Sequence, residues 1–567
     1  MIPFPRPRSL STLTVAALFS GLPLSVAYSQ IVTTDLLIDL DAANYNQATG
    51  TWTQSGVTGL PGSFTATGSV TTARVNGFTG VLLDGGFEHL QGPQTTGSSL
   101  EAATPTYSVE VWAYQGNVRD EETMVGWSHR GTDNSNMGFN WGVDQAWGAS
   151  GHWGNGPDQG WTPGFSIDAV SVFANNNTVS NVPTAGSWHL MTYTYDGTTE
   201  RVYSDGVLRN SEAKTLTPFA DNEIVLGTQN EAQNLPHTGR SDLGGNNGFN
   251  NAGTDLTFSG VLGRIRIHSG VLTDQQVADA YNTEKAIFQP AGGPPTAALT
   301  LGPTHRYSFT GTGNTAAPTG TVVVDSVGGQ DGTVLGNGAI FTIDGKKISL
   351  PGGASNSAAY IDLPNGLISS LQNVSLEAWV QQNGDTNWSR IVDFGVGDAG
   401  EIFDVGGAAS GTNYIMLSGN AGTNPGQRLE HVGGVSPNPG GGTSRDSQNS
   451  RILNREIHIV LTYDSANAEW RWYQDGALME AVPDISGLAS IPDVNNWLGR
   501  SQWTGDANLN GFYDEFRIYD YALTQEQVLG NFAAGPDVLN VIPEPGSGAL
   551  LALGAAALSA RRRRVGS

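Results

Sequence analysis

The chain of 567 residues contains no cysteine. This absence excludes thiolate catalysis, zinc sites built on thiolates and stabilisation by disulfide bonds. Charged residues are also scarce, at 14%, and the formal net charge is -25. Because an acidic chain repels nucleic acid and anionic membrane surfaces, neither is an expected partner.

Several motifs of enzyme active sites are missing as well. The sequence has no Gly-x-Ser-x-Gly nucleophile motif, no phosphate-binding loop with a lysine and no His-x-x-x-His metal motif. Retaining glycosidases need two carboxylates about 5–5.5 Å apart. The nearest acidic pair on one strand face is Asp39 and Asp41, and it lacks a third acid. Glu110 and Glu377 each stand alone near a tryptophan, so the sequence favours binding over catalysis.

Glycine is abundant, with 76 residues, and short β-rich stretches alternate with turn residues. This pattern is typical of an all-β sandwich, and the length suggests about two to four domains. The Gly- and Asn-rich stretches 231–255 and 419–449 are expected to be long loops, and no function is assigned to them.

The first 29 residues have the features of a secretory signal peptide. Arg6 and Arg8 precede a short apolar stretch at 13–24. Ser25 and Ala27 provide small residues before one cleavage point, and Ala27 and Ser29 do so before an alternative one. Basic, apolar and small-residue regions in this order direct export. The segment 1–29 is therefore predicted to be removed from the mature protein.

The C-terminal segment 541–567 has the features of a second targeting signal. The tripeptide Pro543-Glu544-Pro545 is followed by an uncharged run at 546–560 and four arginines at 561–564. The run is shorter than the roughly 20 residues that span a bilayer comfortably, and the arginines would stay on the cytoplasmic side. This arrangement resembles the PEP-CTERM sorting signal. The resemblance implies processing by an exosortase-type protease and a location that is secreted or at the cell surface, with a transient or permanent membrane anchor.

One series of motifs occurs twice with a nearly constant spacing. The alternating strand at 107–113 is echoed at 374–380, and the His189 segment is echoed by the His458 segment. Asp-Gly turns follow at 205–206 and at 475–476, where tight hairpins need a positive φ. A repeat of this length indicates a duplicated domain rather than a solenoid.

The two units are predicted at 31–285 and 304–536. Each ends in a short helix, and Thr273 and Thr524 are expected to open these helices with a capping box. The Pro- and Gly-rich segment 286–303 between the units is expected to be a semi-stiff spacer. Each unit is long enough to build a core of its own.

The order Glu-x-Trp, Thr-Tyr-Asp, Tyr-x-Asp-Gly and Arg-Ile-Tyr, followed by a capped helix, resembles the LamG-like, concanavalin A-type jelly roll. The resemblance is strongest at 496–500 and 511–519, and the first copy departs from it at Gly263-Arg264, which replace Asp514-Glu515. It implies two tandem jelly-roll β-sandwiches of curved antiparallel sheets, with ligand sites in rim loops or on the concave face. The expected fold class is therefore all-β, with a signal peptide and an apolar sorting helix at the ends.

Candidate ligand-binding residues are mostly tryptophans in polar surroundings, because indoles stack on sugar rings while Asn and Asp bind hydroxyls. The alternative is that these indoles pack inside the sandwich. The candidates are Trp127, Trp141, Trp147, Trp153 and Trp161 in the first unit, and Arg500 and Trp503 in the second.

Candidate metal ligands are acids near predicted strand ends. Ca²⁺ prefers six to eight oxygen ligands, and carbonyls of Gly-rich loops could complete such a shell. The alternative is that these acids form ordinary surface hydrogen bonds. The candidates for a calcium cofactor are Asp84, Glu88, Asp325 and Asp514.

Together these features predict an exported bacterial surface or matrix protein that binds glycans without catalysis. Its expected partners are an extracellular polysaccharide or glycoconjugate, and an exosortase-type protease at the tail. Two tandem modules would raise avidity. A polysaccharide-degrading enzyme on the same fold and a purely structural matrix protein remain alternatives.

Overall fold

The structure is a computed structural model. It describes residues 31–55, 59–86, 88–118, 122–128, 135, 137–141, 183–220, 222–231, 235–236, 257–407, 409–422, 426–438, 442–447 and 451–542. The predicted signal peptide and the sorting tail from Pro543 onward lie outside these ranges. Within them, no helix combines the length and the apolar character needed to cross a bilayer.

In the described part of the first half, antiparallel strands are followed by one α-helix. The strands are β1 (Leu36–Asp41), β2 (Tyr45–Asn46), β3 (Thr51–Trp52), β4 (Phe64–Thr67), β5 (Thr71–Val75), β6 (Phe78–Asp84), β7 (His89–Gln94), β8 (Tyr107–Gln115), β9 (Thr123–Trp127), β10 (Met137–Asn140), β11 (Ser187–Tyr195), β12 (Thr199–Ser204), β13 (Val207–Ala213), β14 (Glu223–Leu226), β15 (Asn230–Glu231), β16 (Leu235–Pro236) and β17 (Ser259–His268), and the helix is α1 (Asp274–Phe288).

The second half repeats this plan. Its strands are β18 (His305–Ser308), β19 (Val322–Val323), β20 (Gly332–Leu335), β21 (Ile340–Phe341), β22 (Ile348–Gly353), β23 (Tyr360–Leu363), β24 (Val374–Gln382), β25 (Arg390–Gly397), β26 (Gly411–Ser418), β27 (Gln427–Val432), β28 (Ser444–Ser447), β29 (Glu456–Asp464), β30 (Glu469–Gln474), β31 (Ala477–Pro483), β32 (Asn495–Leu498) and β33 (Asn508–Tyr519), and the helix is α2 (Gln525–Ala534).

Each half contains a sandwich of two sheets with matching strand orders, and in the first half β15 and β16 form a further two-stranded sheet. The first sheets run β13-β12-β11-β8-β17-β6-β5 and β31-β30-β29-β24-β33-β22-β21. The second sheets run β10-β9-β14-β7-β4-β3-β2 and β28-β27-β26-β25-β32-β23-β20-β19. The fold prediction of an all-β protein with several antiparallel sheets is confirmed. In the second sandwich, β27 and β28 extend the second sheet within 419–449, which the sequence suggested to be a loop.

The pairing register corrects one detail of the repeat. Tyr195 lies opposite Tyr107, just as Tyr463 lies opposite Val374, which makes these tyrosines equivalent. His458 lies opposite Trp379, whereas His189 lies opposite Ala113, one position further along β8. Because neighbouring residues of a strand point to opposite faces, the two histidines are not equivalent.

Local chemistry explains how the elements begin and end. Both predicted capping boxes are present, with the Thr273 and Thr524 side chains accepting from the backbone N–H of Gln276 and Gln527. The Asp205-Gly206 and Asp475-Gly476 turns have positive φ at both residues, which matches the twist of a tight hairpin.

Helix α1 extends three residues into the segment that the sequence suggested to be a spacer. It ends at Phe288, whose ring stacks on Trp112 with centroids 4.3 Å apart. Further along, Leu299 is fully buried in the same apolar cluster. The connection therefore packs against the sandwiches and does not behave as a free linker.

The two sandwiches dock through the outer faces of their first sheets. One apolar cluster contains residues of both halves, among them Trp188 and Leu190 of the first and Tyr473 and Leu478 of the second. This explains why β8 is buried on both faces, although its alternation predicts one core face. Each half therefore has a core of its own and shares this third apolar cluster with the other half.

Polar groups complete the junction. The Arg445 side chain of the second sandwich forms an ion pair with Asp84 of the first and donates from Nε to the Asp84 carbonyl at 2.8 Å. Ser259 Oγ donates to Glu480 at 2.7 Å, and both residues are buried. The junction also forms a cleft of about 430 Å³ whose lining includes Tyr45 and residues of the β29–β30 turn.

Gly116 tests the docking most directly. A Cβ at this position would lie 1.6 Å from the carbonyl oxygen of Leu478 in the other sandwich. Gly116→Ala should therefore force the sandwiches apart and lower the free energy of unfolding by about 1–3 kcal/mol. Hydrogen exchange over 470–483 should increase.

Gly270→Ala is the matched control, because a Cβ there meets nothing within 4 Å. Equal hydrogen exchange over 470–483 in the two variants would contradict the docked arrangement.

Candidate functional site

The second sheet of the second sandwich carries a polar row on the face turned away from the core. In the strand register, Asp393 lies opposite Met416, and Met416 lies opposite Glu430. On the other side of Asp393, Trp497 lies opposite both Asp393 and Asp362. Residues directly opposite each other on neighbouring strands share a face. The intervening residues, including Val392 and Phe394, belong to the core cluster. The row therefore spans five strands, and four of them contribute a charged or aromatic side chain to it.

A β-bulge brings Arg390 to the same face as Asp393. The register shifts between Arg390 and Val392, so side chains three residues apart point the same way. Arg390 Nε lies 3.1 Å from Asp393 Oδ2, and both side chains are buried. This ion pair is the centre of the site.

The ion pair also holds a loop across the face. The backbone N–H of Gln502 donates to Asp393 Oδ2 at 3.0 Å, and a terminal nitrogen of Arg390 lies 3.2 Å from Asp506 Oδ2. The loop 501–506 is thereby fixed at both ends. It presents Trp503, whose side chain is 43% exposed.

Trp503 is held in one orientation at the surface. Its indole Nε1–H donates to the hydroxyl of Tyr414 at 2.8 Å. On the neighbouring strands, Arg428 lies 5.1 Å from the ring centroid of half-buried Trp388 and 3.8 Å from Glu430. An exposed indole with charged side chains nearby provides an apolar surface and hydrogen-bonding groups in one place.

Burial is the main cause of the raised pKa values of the acids on this face. It raises the pKa of Asp393 to about 7 in spite of the Arg390 guanidinium, and its buried Oδ1 has no hydrogen-bond partner among the described residues. Burial raises the pKa of Asp362 to about 6, although the Trp497 indole donates to it. The pKa of Glu430 is raised by the same cause.

The equivalent face of the first sandwich differs in composition. By strand pairing, Gln91, Val225, Gly126 and Gly138 occupy the positions of Asp362, Trp497, Asp393 and Met416. The polar row is therefore a feature of the second sandwich.

Comparison with known proteins agrees with this architecture. Residues 355–529 match the model of the concanavalin A-like lectin/glucanases superfamily. A concanavalin A-like domain is therefore present at 355–529, within the second sandwich. Residues 541–564 match the PEP-CTERM protein-sorting motif, which indicates an exported protein sorted to the cell surface or the extracellular space. A search of curated proteins finds no match.

Several solved structures are similar over part of the chain. Domain 4 of AbnA, a GH43 extracellular arabinanase from Geobacillus stearothermophilus in complex with arabinotriose, is 22% identical, with 41% of this chain and 98% of that chain covered and a TM-score of 0.29. Trypanosoma rangeli sialidase is 14% identical, with 61% and 48% covered and a TM-score of 0.30, so the chain spans about half of that protein. The CBM40 of Ruminococcus gnavus IT-sialidase, bound to alpha2,3 sialyllactose, is 13% identical, with 32% and 97% covered and a TM-score of 0.23.

Within the concanavalin A-like domain, Arg500 does not take the position expected for a ligand contact. It is fully buried, and its guanidinium carbon lies 4.5 and 4.6 Å from the ring centroids of Tyr360 and Trp497. It also donates to the carbonyl of Asp404 at 3.2 Å. Arg500 therefore braces the loop over the sheet, and the expectation that it contacts ligand is corrected.

The first sandwich does not expose the two described indoles of its tryptophan-rich stretch. Trp127 and Trp141 are buried in the core cluster. Their packing alternative is therefore the one the structure supports, and an exposed platform at these two positions is corrected. Trp147, Trp153 and Trp161 lie outside the described residues.

Asp84 and Glu88 are neighbours, with the backbone N–H of Asp84 donating to Glu88 Oε2 at 3.0 Å, whereas Asp325 and Asp514 belong to the other sandwich. Each of these four candidate calcium ligands contacts protein donors. Asp84 pairs with Arg445, and Glu88 accepts from Asn438. Asp325 accepts from several backbone N–H groups of its own turn, including that of Gly328 at 3.0 Å. Asp514 lies within β33 rather than at a strand end and pairs with Lys347 at 2.9 Å, Nζ to Oδ2. Among the described residues, no three His, Asp or Glu side chains cluster in a way that could hold a metal ion.

The repeated Glu-x-Trp motif has a structural role that the sequence did not reveal. Glu377 accepts from His458 at 2.8 Å, from Arg517 at 3.1 Å and from Asn531 of α2 at 2.9 Å. Burial would raise the pKa of Glu377, but His458 and Arg517 outweigh it and lower this pKa to about 2. The motif glutamate thus fastens the C-terminal helix to the sheet.

The first sandwich repeats this arrangement with other partners. Glu110 is buried against His268, 3.0 Å away, and Arg266. Arg266 and Arg264 also pair with Glu284 of α1. Glu110 is therefore enclosed beneath the helix.

The raised pKa of Asp393 predicts a specific pH dependence. The folded protein binds a proton that the unfolded chain releases above its pKa of 3.8, so this group lowers the free energy of unfolding as the pH rises from about 4 to about 7. Asp393→Asn should remove that decrease, which is on the order of 2–4 kcal/mol. Urea unfolding at several pH values measures it.

The exposed Asp520→Asn removes the same charge and serves as the control. Parallel pH profiles for wild type and Asp393→Asn would show that Asp393 is ionised throughout this range.

Proposed function

We propose that this exported protein binds glycans without cleaving them, through the outer face of the second sheet of its concanavalin A-like domain. The single observation that carries the proposal is Trp503, an exposed indole fixed by its hydrogen bond to Tyr414. The expected ligand is an extracellular polysaccharide or glycoconjugate.

The chemistry of the face fits a sugar. The apolar face of a pyranose ring stacks on an indole, and its hydroxyls need both donors and acceptors. Arg428 supplies donors, and Glu430 and Asp506 supply acceptors, and all three are partly exposed. Because the supporting ion pair is already formed, little conformational entropy is lost on binding.

The positions of the acids favour binding over cleavage. Asp393 is fully buried, and Glu430 lies two strands away, roughly 10 Å at the usual strand spacing. Retaining hydrolysis needs carboxylates about 5–5.5 Å apart. Glu110 and Glu377, the isolated motif glutamates, are buried in ion pairs.

The C-terminal tail completes the proposal. Its apolar run inserts into the membrane, and an exosortase-type protease processes it, which leaves the folded body at the cell surface or in the matrix. The docked sandwiches then present the face of the second sheet as part of one body.

Replacing Trp503 tests the site. Trp503→Ala should weaken binding to matrix polysaccharides by about five- to thirtyfold, because stacking of an aromatic ring contributes on the order of 1–2 kcal/mol. A glycan array followed by affinity electrophoresis measures the loss, and thermal unfolding checks that the variant is folded.

Phe532→Ala is the control, since Phe532 is an aromatic residue of similar exposure, 40%, on α2. Wild-type protein that binds no polysaccharide, with or without calcium, would reject the proposal. Release of reducing ends would indicate the enzyme, and self-association without glycan preference the structural matrix protein.

Calcium as a cofactor stays a prediction, and it has a direct test. If calcium binds the folded state, the thermal unfolding midpoint should be higher with calcium than after treatment with a chelator. At a calcium concentration of 100 times Kd, the free energy of unfolding should rise by about 2.7 kcal/mol. Replacing calcium with the same concentration of magnesium controls for nonspecific screening of the acidic side chains by a divalent cation. An unchanged midpoint after careful chelation would remove calcium from the proposal.

A further inference from the structure

The chain leaves its folded body at a fixed point. Arg517, buried in the ion-pair network beneath α2, donates to the carbonyl of Val538 at 3.1 Å. The backbone N–H of Leu299 in the connection donates to Asn540 at 2.6 Å, and that of Ile542 donates back to Leu299 at 2.9 Å. The sorting tripeptide begins at the next residue, so no flexible spacer separates it from the body.

Exposed apolar side chains surround this point. They are carried by two short segments that meet where Val541 forms a β-bridge with Leu299. We name them the exit patch, and its members are Leu301, Val538, Val541 and Ile542, which are 64, 51, 37 and 56% exposed. Apolar side chains grouped in this way at a surface commonly mark an interaction site.

The exit patch carries no charged side chain of its own in a chain with a net charge of -25. Beside it, Lys346 and Asp537 form an exposed pair with 3.4 Å between Nζ and Oδ2, and the charges of this pair cancel. An uncharged lipid surface therefore suits the exit patch better than an anionic one, which the acidic body repels.

Chain length limits how far the exit patch lies from the membrane. The apolar run begins at Gly546, four residues after Ile542, and four extended residues reach at most about 14 Å. A headgroup layer takes up about 5–7 Å of that distance on each side of the hydrocarbon core. The exit patch therefore lies within about 10 Å of the headgroup surface.

The length of the apolar run reduces this distance further. Fifteen residues, the length of the run 546–560, would span only about 22 Å in an ideal α-helix, whereas a hydrocarbon core is about 30 Å thick. A segment that is too short is accommodated by local thinning and by drawing its flanks toward the bilayer. On the extracellular side, the flank is the exit patch.

We propose that the exit patch rests on the headgroups of an electrically neutral lipid bilayer while the tail is inserted. This rests on the membrane insertion of the tail in the proposed function. The contact removes apolar side chains from water and holds the docked sandwiches in one orientation to the membrane.

The absence of cysteine makes the test simple, because a single introduced cysteine can be labelled with an environment-sensitive fluorophore. Full-length Leu301→Cys and Val538→Cys would be reconstituted in phosphatidylcholine vesicles. Both labels should shift to shorter wavelength and be quenched by lipids that carry a nitroxide near the headgroup. Phe403→Cys and Val207→Cys, at apolar positions 78 and 52% exposed but far from the exit along the chain, should show neither effect.

A label at Leu551→Cys in the apolar run reports whether the tail is inserted. Quenching at 551 without quenching at 301 and 538 overturns the exit-patch contact and leaves the anchoring intact. Absence of quenching at 551 rejects the anchoring and, with it, this proposal. Blue shifts at 301 and 538 in solution, without vesicles, would show that the tail or a second copy covers the exit patch, which also overturns it.

A complementary measurement uses exposed polar replacements. The combined variant Leu301→Ser with Val538→Ser should partition into phosphatidylcholine vesicles about tenfold more weakly than wild type. The pair Val207→Ser with Phe403→Ser should partition like wild type. Equal partitioning of both variants would contradict the contact.

Discussion

The close approach of the two sandwiches is the constraint on which the rest of the molecule depends. Gly116 allows a backbone of one sandwich to lie against the Leu478 backbone of the other, and the apolar cluster closes around this point. Apolar burial stabilises such a contact in proportion to the area removed from water, without directional requirements. The connection between the sandwiches is buried in the same junction at Leu299. Leu299 in turn forms backbone hydrogen bonds with Asn540 and Ile542, in the segment that leads into the sorting tail.

Buried charge is used in this protein mainly for positioning. A buried ion pair costs desolvation free energy and is weak evidence for stability, but it fixes geometry when each partner has several bonds. Arg390 and Asp393 fix the loop that presents Trp503, and Glu377 with Arg517 fixes α2 and the segment after it. The loop that presents Trp503 and the segment that follows α2 are therefore both held in position by buried charged residues.

Part of the fold and of the candidate site follows from local sequence patterns. Alternation identified β8 and β24, Asp-Gly identified the hairpin turns, and the capping boxes of Thr273 and Thr524 placed the helices. Of the candidate site residues, Trp503 is exposed on a polar face, whereas Trp127, Trp141 and Arg500 are buried. Local composition could not distinguish the exposed candidate from the buried ones, because a tryptophan among glycines and asparagines has the same sequence surroundings whether or not a neighbouring strand covers it. The segment 419–449 shows the same limit, since its glycines suggested a loop, yet it supplies Arg428, Glu430 and Arg445.

The sequence by itself determined the C-terminal sorting motif, the duplication and the all-β class, because each follows from a short motif or from periodicity along the chain. The tertiary structure alone decided how the halves dock, which tryptophan faces solvent and which acids are paired. These outcomes depend on contacts between residues hundreds of positions apart, such as Asp84 with Arg445. No local pattern encodes such a contact, since it forms only when both sheets are complete and one surface meets the other.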